Sequence, residues 1–109
     1  NEPATYIHKE KDFIVFENIL DWFPTQLLLI PTKHMCQKDL WDNKELISKI
    51  SNYANKIGES KCPNGYRILS NFGEDAMQTQ PHAHLHLIGG VNLGLYMNGI
   101  PPIKNQNYQ

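Results

Sequence analysis

A chain of 109 residues with 40% hydrophobic content and a formal net charge of −1 is the size of one domain with a modest core. That balance excludes a disordered tract and a polyanion-binding surface, because no basic block is present to neutralise a run of phosphates; no apolar run of about 18 residues offers a membrane span either. Its two cysteines, Cys36 and Cys62, form no CxxC pair and no disulfide framework, and no signal peptide opens the chain, so inert thiols in a cytoplasmic setting are expected.

Thr5 to Lys9, with Tyr6 and Ile7, predicts a short strand, and Lys11-Asp12 suits a turn. Phe13-Ile14-Val15-Phe16-Glu17 is rich in β-branched and aromatic residues and predicts the second arm of a hairpin. Asn18 to Thr25, containing Asp21 and Pro24, reads as a loop. The apolar run Gln26 to Ile30, ended by Pro31, has the length of a buried strand, which puts His34 just past a strand end. Gln37 to Trp41 suits a short helical turn. Asp42 followed by Glu45 has the spacing of a capping box, and Leu46, Ile47, Ile50, Tyr53, Ala54 and Ile57 recur at the helical period, with Gly58 as the expected stop.

Glu59 to Gly65 reads as a loop, Tyr66 to Asn71 as a fourth strand, and Phe72 to Thr79 as a polar connection. The fifth strand follows Pro81: His82-Ala83-His84-Leu85-His86-Leu87-Ile88, closed by Gly89-Gly90. Strands, then a long helix, then strands predict an α+β fold: a five-stranded, mainly antiparallel meander sheet with one long helix packed on one face. Residues 104–109 are polar and are expected to fray. Trp22, Phe23 and Trp41 read as packing or interface residues, His8 as a surface histidine, and Met35, Met77 and Met97 as gap-fillers.

Three of the five histidines stand at alternate positions in the last strand. A strand has a period of two, so His82, His84 and His86 share one face while Ala83, Leu85 and Leu87 share the other. Three readings compete for the imidazole face. One is a chance surface cluster. One is a zinc site, with Glu74, Asp75 or His34 folding back as a further ligand. The third is catalysis at a phosphoryl centre: neutral imidazole, with an unperturbed pKa of about 6.5, is a good nucleophile near neutral pH. The third reading alone also uses Gln78 and Thr79, whose amide and hydroxyl can hold phosphate oxygens.

The same residues resemble a known family. His82 to Ile88 resembles the H-φ-H-φ-H-φ-φ signature of the histidine-triad (HIT) proteins, where φ is hydrophobic. Phe16-Glu17-Asn18-Ile19 resembles the family's F-x-D-I segment, and Leu29-Ile30-Pro31-Thr32-Lys33-His34 its V-I-P-K-x-H segment. Gly65 to Asn71 resembles G-Y-R-x-x-x-N, and Gln78-Thr79 fits Q-[ST] ahead of the triad. The blocks occur in order and cover nearly the whole chain, read as a single HIT domain over 1–109. Gly89-Gly90 leans toward the Hint branch of nucleoside phosphoramidate hydrolases; Gln78-Thr79 also occurs in the Fhit branch of dinucleoside polyphosphate hydrolases.

The resemblance implies that His84 is the nucleophile attacking the α-phosphorus of a nucleotide, leaving a nucleotidyl-imidazole that water then cleaves. It implies that His86 and Gln78 hold phosphate oxygens, that Thr79 contacts phosphate or the leaving atom, and that His82 orients the network. His34 would stand on the leaving-group side. Asn71 would touch the phosphate or ribose, and Phe16, Asn18 and Ile19 would bind the nucleoside. It implies no metal and no cofactor, a purine nucleotide of the AMP type as substrate, and a homodimer with a sheet continuous across two subunits.

The chain departs from the pattern at Asn18, where the family has Asp; Asn offers the ribose one acceptor and a donor instead of two acceptors. Pro24-Thr25-Gln26 stands where members have P-G-H or P-T-H. An N-terminal I-F-x-x-I segment is absent at 1–4, so either the numbered chain begins inside the natural protein or the base pocket is more open. Ile100-Pro101-Pro102-Ile103 replaces W-P-P-G. The weakened ribose position also admits a non-catalytic nucleotide sensor, and the alternating histidines a zinc-binding protein.

Overall fold

The computed structural model of the protein describes residues 5–19 and 22–95. Expectations that fall on 1–4, Asp21, Met97, 100–103 and 104–109 lie outside those residues.

Five strands build one antiparallel sheet: β1 (Tyr6–Lys9), β2 (Phe13–Glu17), β3 (Thr25–Pro31), β4 (Tyr66–Leu69) and β5 (Leu85–Gly89). The order is β1-β2-β3-β5-β4. The first three strands form the expected meander. The chain then passes through α1 (Gln37–Asp42) and α2 (Lys44–Lys61), returns as the edge strand β4, and inserts β5 between β4 and β3. The composition of β5 fits a central place: Leu85, Leu87 and Ile88 are all buried, so it has apolar cover on both faces.

The α2 helix lies across β3, β4 and β5. Its Ile50 and Ala54 meet Val15, Leu27, Leu29, Ala83, Leu85 and Leu87 in one core, with Leu46, Ile47, Tyr53 and Ile57 along the margins. The stripe read from the sequence is therefore the face that packs. Each fully buried leucine on that face contributes about 1.5–3 kcal/mol.

Three boundaries differ from the sequence reading, each for a local reason. The cap of α2 is Asn43, not Asp42. Asp42 is the last residue of α1, and Asn43 has the extended backbone a cap requires; its Oδ1 accepts from the Leu46 N–H at 3.0 Å. Glu45 lies in the first turn but not at the capping-box spacing from Asn43. Second, α2 does not stop at Gly58 but runs on to Lys61, where Cys62 precedes Pro63 and cannot hold helical backbone easily. Gly58 is needed instead for close approach: a Cβ there would stand 2.6 Å from Cε2 of Tyr66, whose hydroxyl donates to Asn55 Oδ1 at 2.9 Å. Third, β5 begins at Leu85, so only His86 of the three histidines is a paired strand residue. Among smaller differences, β3 takes in Thr25 and Pro31, and β4 ends at Leu69. His8 is half-buried, stacked on Tyr53 at 4.4 Å. Trp22 stays 73% exposed rather than packing in the core.

Two measurements check these assignments. Asn43→Ala should cost about 1 kcal/mol in chemical denaturation and Asp42→Ala much less; the reverse ranking would return the cap to Asp42. Gly58→Ala should destabilise by roughly 1–3 kcal/mol through overpacking against Tyr66, despite alanine's better helix propensity; a more stable variant would show that the ring yields freely.

Candidate active site

The face of the sheet opposite α2 carries the candidate chemistry. Strand register aligns one row of residues across it: Tyr6 opposite Phe16, Phe16 opposite Leu28, Leu28 opposite His86, and His86 opposite Leu69. Tyr6 and Phe16 are in ring contact at 5.9 Å. An apolar and aromatic strip therefore leads across the sheet to His86. With strands about 4.8 Å apart, Phe16 lies roughly two strand spacings from it.

The histidines form a connected series. His34 stacks on His82 with ring centroids 4.8 Å apart and planes within 3°. Both nitrogens of His82 meet main chain. Nε2 donates to the Pro31 carbonyl at 2.9 Å, and Nδ1 accepts from the Met35 N–H at 3.2 Å in the neutral ring. The Ala83 N–H also donates to the Met35 carbonyl, so this segment is strapped to the chain leaving β3. His82 is thus a fixed post with no nitrogen left for a ligand.

His84 is buried, with 7% of its surface exposed. Its Nδ1 stands 2.8 Å from the His82 carbonyl oxygen, which can only accept, so Nδ1 carries the proton. In the neutral ring this leaves the lone pair on Nε2. His86 meets His84 edge to face, with centroids 4.9 Å apart. Burial, and secondarily the charge His84 can carry, hold the His86 pKa below the ordinary imidazole value, so His86 is kept neutral.

Beyond Leu69 the sheet ladder stops, and polar side chains hold the main chain of His84. Gln37, at the start of α1 and only 2% exposed, accepts from the His84 N–H through Oε1 at 3.1 Å. Its Nε2 donates to the Asn71 carbonyl at 3.1 Å. The Ser70 hydroxyl donates to the His84 carbonyl at 3.0 Å and lies 3.3 Å from Nε1 of Trp41. Sequence reading missed Gln37 and Ser70. Gln37 lies in none of the motif blocks and Ser70 only at an unspecified position of G-Y-R-x-x-x-N, so only the end of the ladder gives them a purpose.

The remaining candidates are placed as follows. Gln78 is engaged within its own loop: Oε1 accepts from the Gly73 N–H at 2.8 Å and Nε2 donates to the Gln80 carbonyl at 2.9 Å. Thr79 is exposed beside Cys36, Met77 and Pro81 along an open groove of about 620 Å³. Met77, before Gln78, holds a left-handed backbone at φ 61°, the one non-glycine among the described residues with positive φ. The Asn18 N–H donates to the Gln26 carbonyl at 2.9 Å, extending the β2–β3 ladder, and Ile19 is 72% exposed beyond it. Asn71 approaches His84 through Gln37, by its main chain. Among the described residues, no group of three His, Cys, Asp or Glu side chains comes together as a metal-binding set, and no helix is long and apolar enough to cross a membrane.

Comparison with known proteins agrees with this fold. The HIT domain family model matches residues 1–93. An uncharacterised HIT-like protein of Rickettsia prowazekii (strain Madrid E) is 35% identical over 106 residues, covering 90% of this chain and 87% of its own. A solved HIT family hydrolase from Clostridium thermocellum superposes with a TM-score of 0.78 at 31% identity, over 88% of this chain and 87% of that one. Another, from Legionella pneumophila Philadelphia 1, does so with a TM-score of 0.80 at 32% identity, over 88% and 89%. The motif blocks, the five-stranded sheet with its packed helix and the matching family model together place this chain in the HIT family.

Proposed function

We propose that the protein is a hydrolase of nucleoside 5′-phosphoramidates or related nucleotides, with His84 as the nucleophile. The observation that carries this reading is the hydrogen bond from His84 Nδ1 to the His82 carbonyl, because it commits the ring's lone pair to Nε2. The fixed His82 and the neutral His86 flank that ring. Two solved relatives that share the fold are HIT family hydrolases.

In this mechanism Nε2 of His84 attacks the α-phosphorus, forming a P–N bond to the ring as the P–N bond to the leaving amine breaks. The amine departs with a proton acquired on the open side, where Thr79 and His34 are the candidate contacts. Water then attacks the nucleotidyl-imidazole and releases AMP, and the ring regains its lone pair. His86, as a neutral ring, can donate to a phosphate oxygen; a donor fixed at developing charge is worth about 10²–10³ in rate. The nucleoside would lie over Phe16 and Leu28, with its ribose toward Asn18. Gln78 would join the phosphate site only by giving up its bonds to Gly73 and Gln80. No metal is required. A homodimer would use the open edge of β4, joining two sheets through strands that have one paired side each.

The direct test mixes the protein with adenosine 5′-phosphoramidate and follows AMP release with and without a chelator. Turnover should be chelator-insensitive, and His84→Ala should lower it by on the order of 10⁴ or more while AMP binding remains measurable. Full activity in that variant would remove His84 as nucleophile; AMP binding without hydrolysis in the unaltered protein would favour a sensor.

A second measurement addresses the phosphate position. Burial disfavours the charged ring, so His86 in the free protein should titrate below about 6.5 by NMR. A bound phosphate favours the charged ring, so AMP should raise that pKa and bind more tightly as pH falls from neutrality. An unmoved His86 titration would place the phosphate elsewhere.

A further inference from the structure

We infer that Gln37 is a positioning residue for the nucleophile, its carboxamide inserted between the β4 and β5 main chains as a side-chain rung of the ladder that sets the His84 ring. The inference rests on His84 being the nucleophile. The β4–β5 register pairs Tyr66 with Gly89 and ends with Leu69 opposite His86. Carried two residues further, it brings Asn71 opposite His84. An uninterrupted ladder would join those two main chains directly. Instead the His84 N–H donates to Gln37 Oε1, and Gln37 Nε2 donates to the Asn71 carbonyl, both at 3.1 Å.

A primary amide carries the same acceptor and donor as a peptide group, so one side chain serves both orphaned main-chain groups. Its depth fits this use: among the described residues Gln37 is one of three buried polar ones, with Gln26 and His84, and each end of its amide has a main-chain partner. The insertion keeps Asn71 off His84 and leaves the His84 main chain turned so that Nδ1 reaches the His82 carbonyl at 2.8 Å. Removing the amide lets β4 close toward β5 or leaves the His84 N–H and the Asn71 carbonyl without these partners. Either way the main chain at His84 shifts, and the lone pair is no longer confined to Nε2. Ser70, bonding the His84 carbonyl on the other side, completes the hold but does not span the strands.

The test uses the full chain with Gln37→Leu and Gln37→Glu, two readouts, and the unaltered protein alongside. Ring ¹⁵N shifts report the His84 tautomer without any substrate; single-turnover release of the amine from adenosine 5′-phosphoramidate reports the transfer step. Gln37→Leu should mix the tautomers and slow transfer by about 10²-fold, the scale of a small misplacement at a reacting centre, with AMP affinity retained. Gln37→Glu keeps the acceptor for the His84 N–H and should fall between.

A folded Gln37→Leu protein with the original tautomer and rate would overturn the inference. Should the leucine variant not fold, Gln37→Glu decides: mixed tautomers with slowed transfer support the inference, and unaltered values overturn it. If the unaltered protein shows no transfer, the reading of His84 as nucleophile fails by itself. The tautomer comparison then still decides whether Gln37 sets the ring.

Discussion

The structure depends on one alternation, apolar side chains against imidazoles along Ala83 to Leu87. Ala83, Leu85 and Leu87 are fully buried beneath α2. Because side chains alternate in extended chain, their burial commits the intervening histidines to the opposite side. A slip of one residue would put imidazole in the core and leucine in the site, so the hydrophobic core and the chemistry enforce the same register. The rest of the fold serves this arrangement. The α2 helix covers the apolar side, and β3 and β4 hold β5 from both edges.

The site itself is made where regular structure ends. His86 is a paired strand residue, while His84 and His82 are not. The His84 main chain finds partners in Gln37 and Ser70, the Ala83 N–H between them in the Met35 carbonyl, and the two rings in the carbonyls of His82 and Pro31. These are hydrogen bonds of defined direction, so they fix proton positions as well as atoms. A carbonyl oxygen accepts and never donates, which leaves the neutral His84 ring one choice of tautomer. An arrangement held only by apolar packing would leave the tautomer open.

Much of the fold was legible in the sequence because it rests on periodicity. The α2 stripe, the β-rich hairpin and the alternating histidine segment each carry their own pattern, and five strands with one long helix follow from them. The motif blocks made the family legible too. Boundaries were less legible, since Asp42 and Asn43 are chemically equivalent as caps and only the end of α1 distinguishes them. Gly58 carried the same sign as a helix stop, while its use depends on Tyr66, which lies beyond the loop that follows α2. The insertion of β5 between β3 and β4, and with it Gln37 and Ser70 beside His84, is a long-range outcome that no local pattern encodes.

The left-handed backbone at Met77 has a consequence for the loop that carries Gln78 and Thr79. A side chain costs that conformation about 1 kcal/mol or more, which glycine would avoid. Nearby bonds offset the cost: Gln78 binds Gly73 through both its N–H and its side-chain oxygen, and the Met77 N–H donates to the Glu74 carbonyl. The segment bordering the open groove is thus held in place by its own hydrogen bonds. A ligand that drew the Gln78 amide toward itself would have to compete with those bonds, so the loop's own hydrogen bonding sets what such a ligand must offer in return.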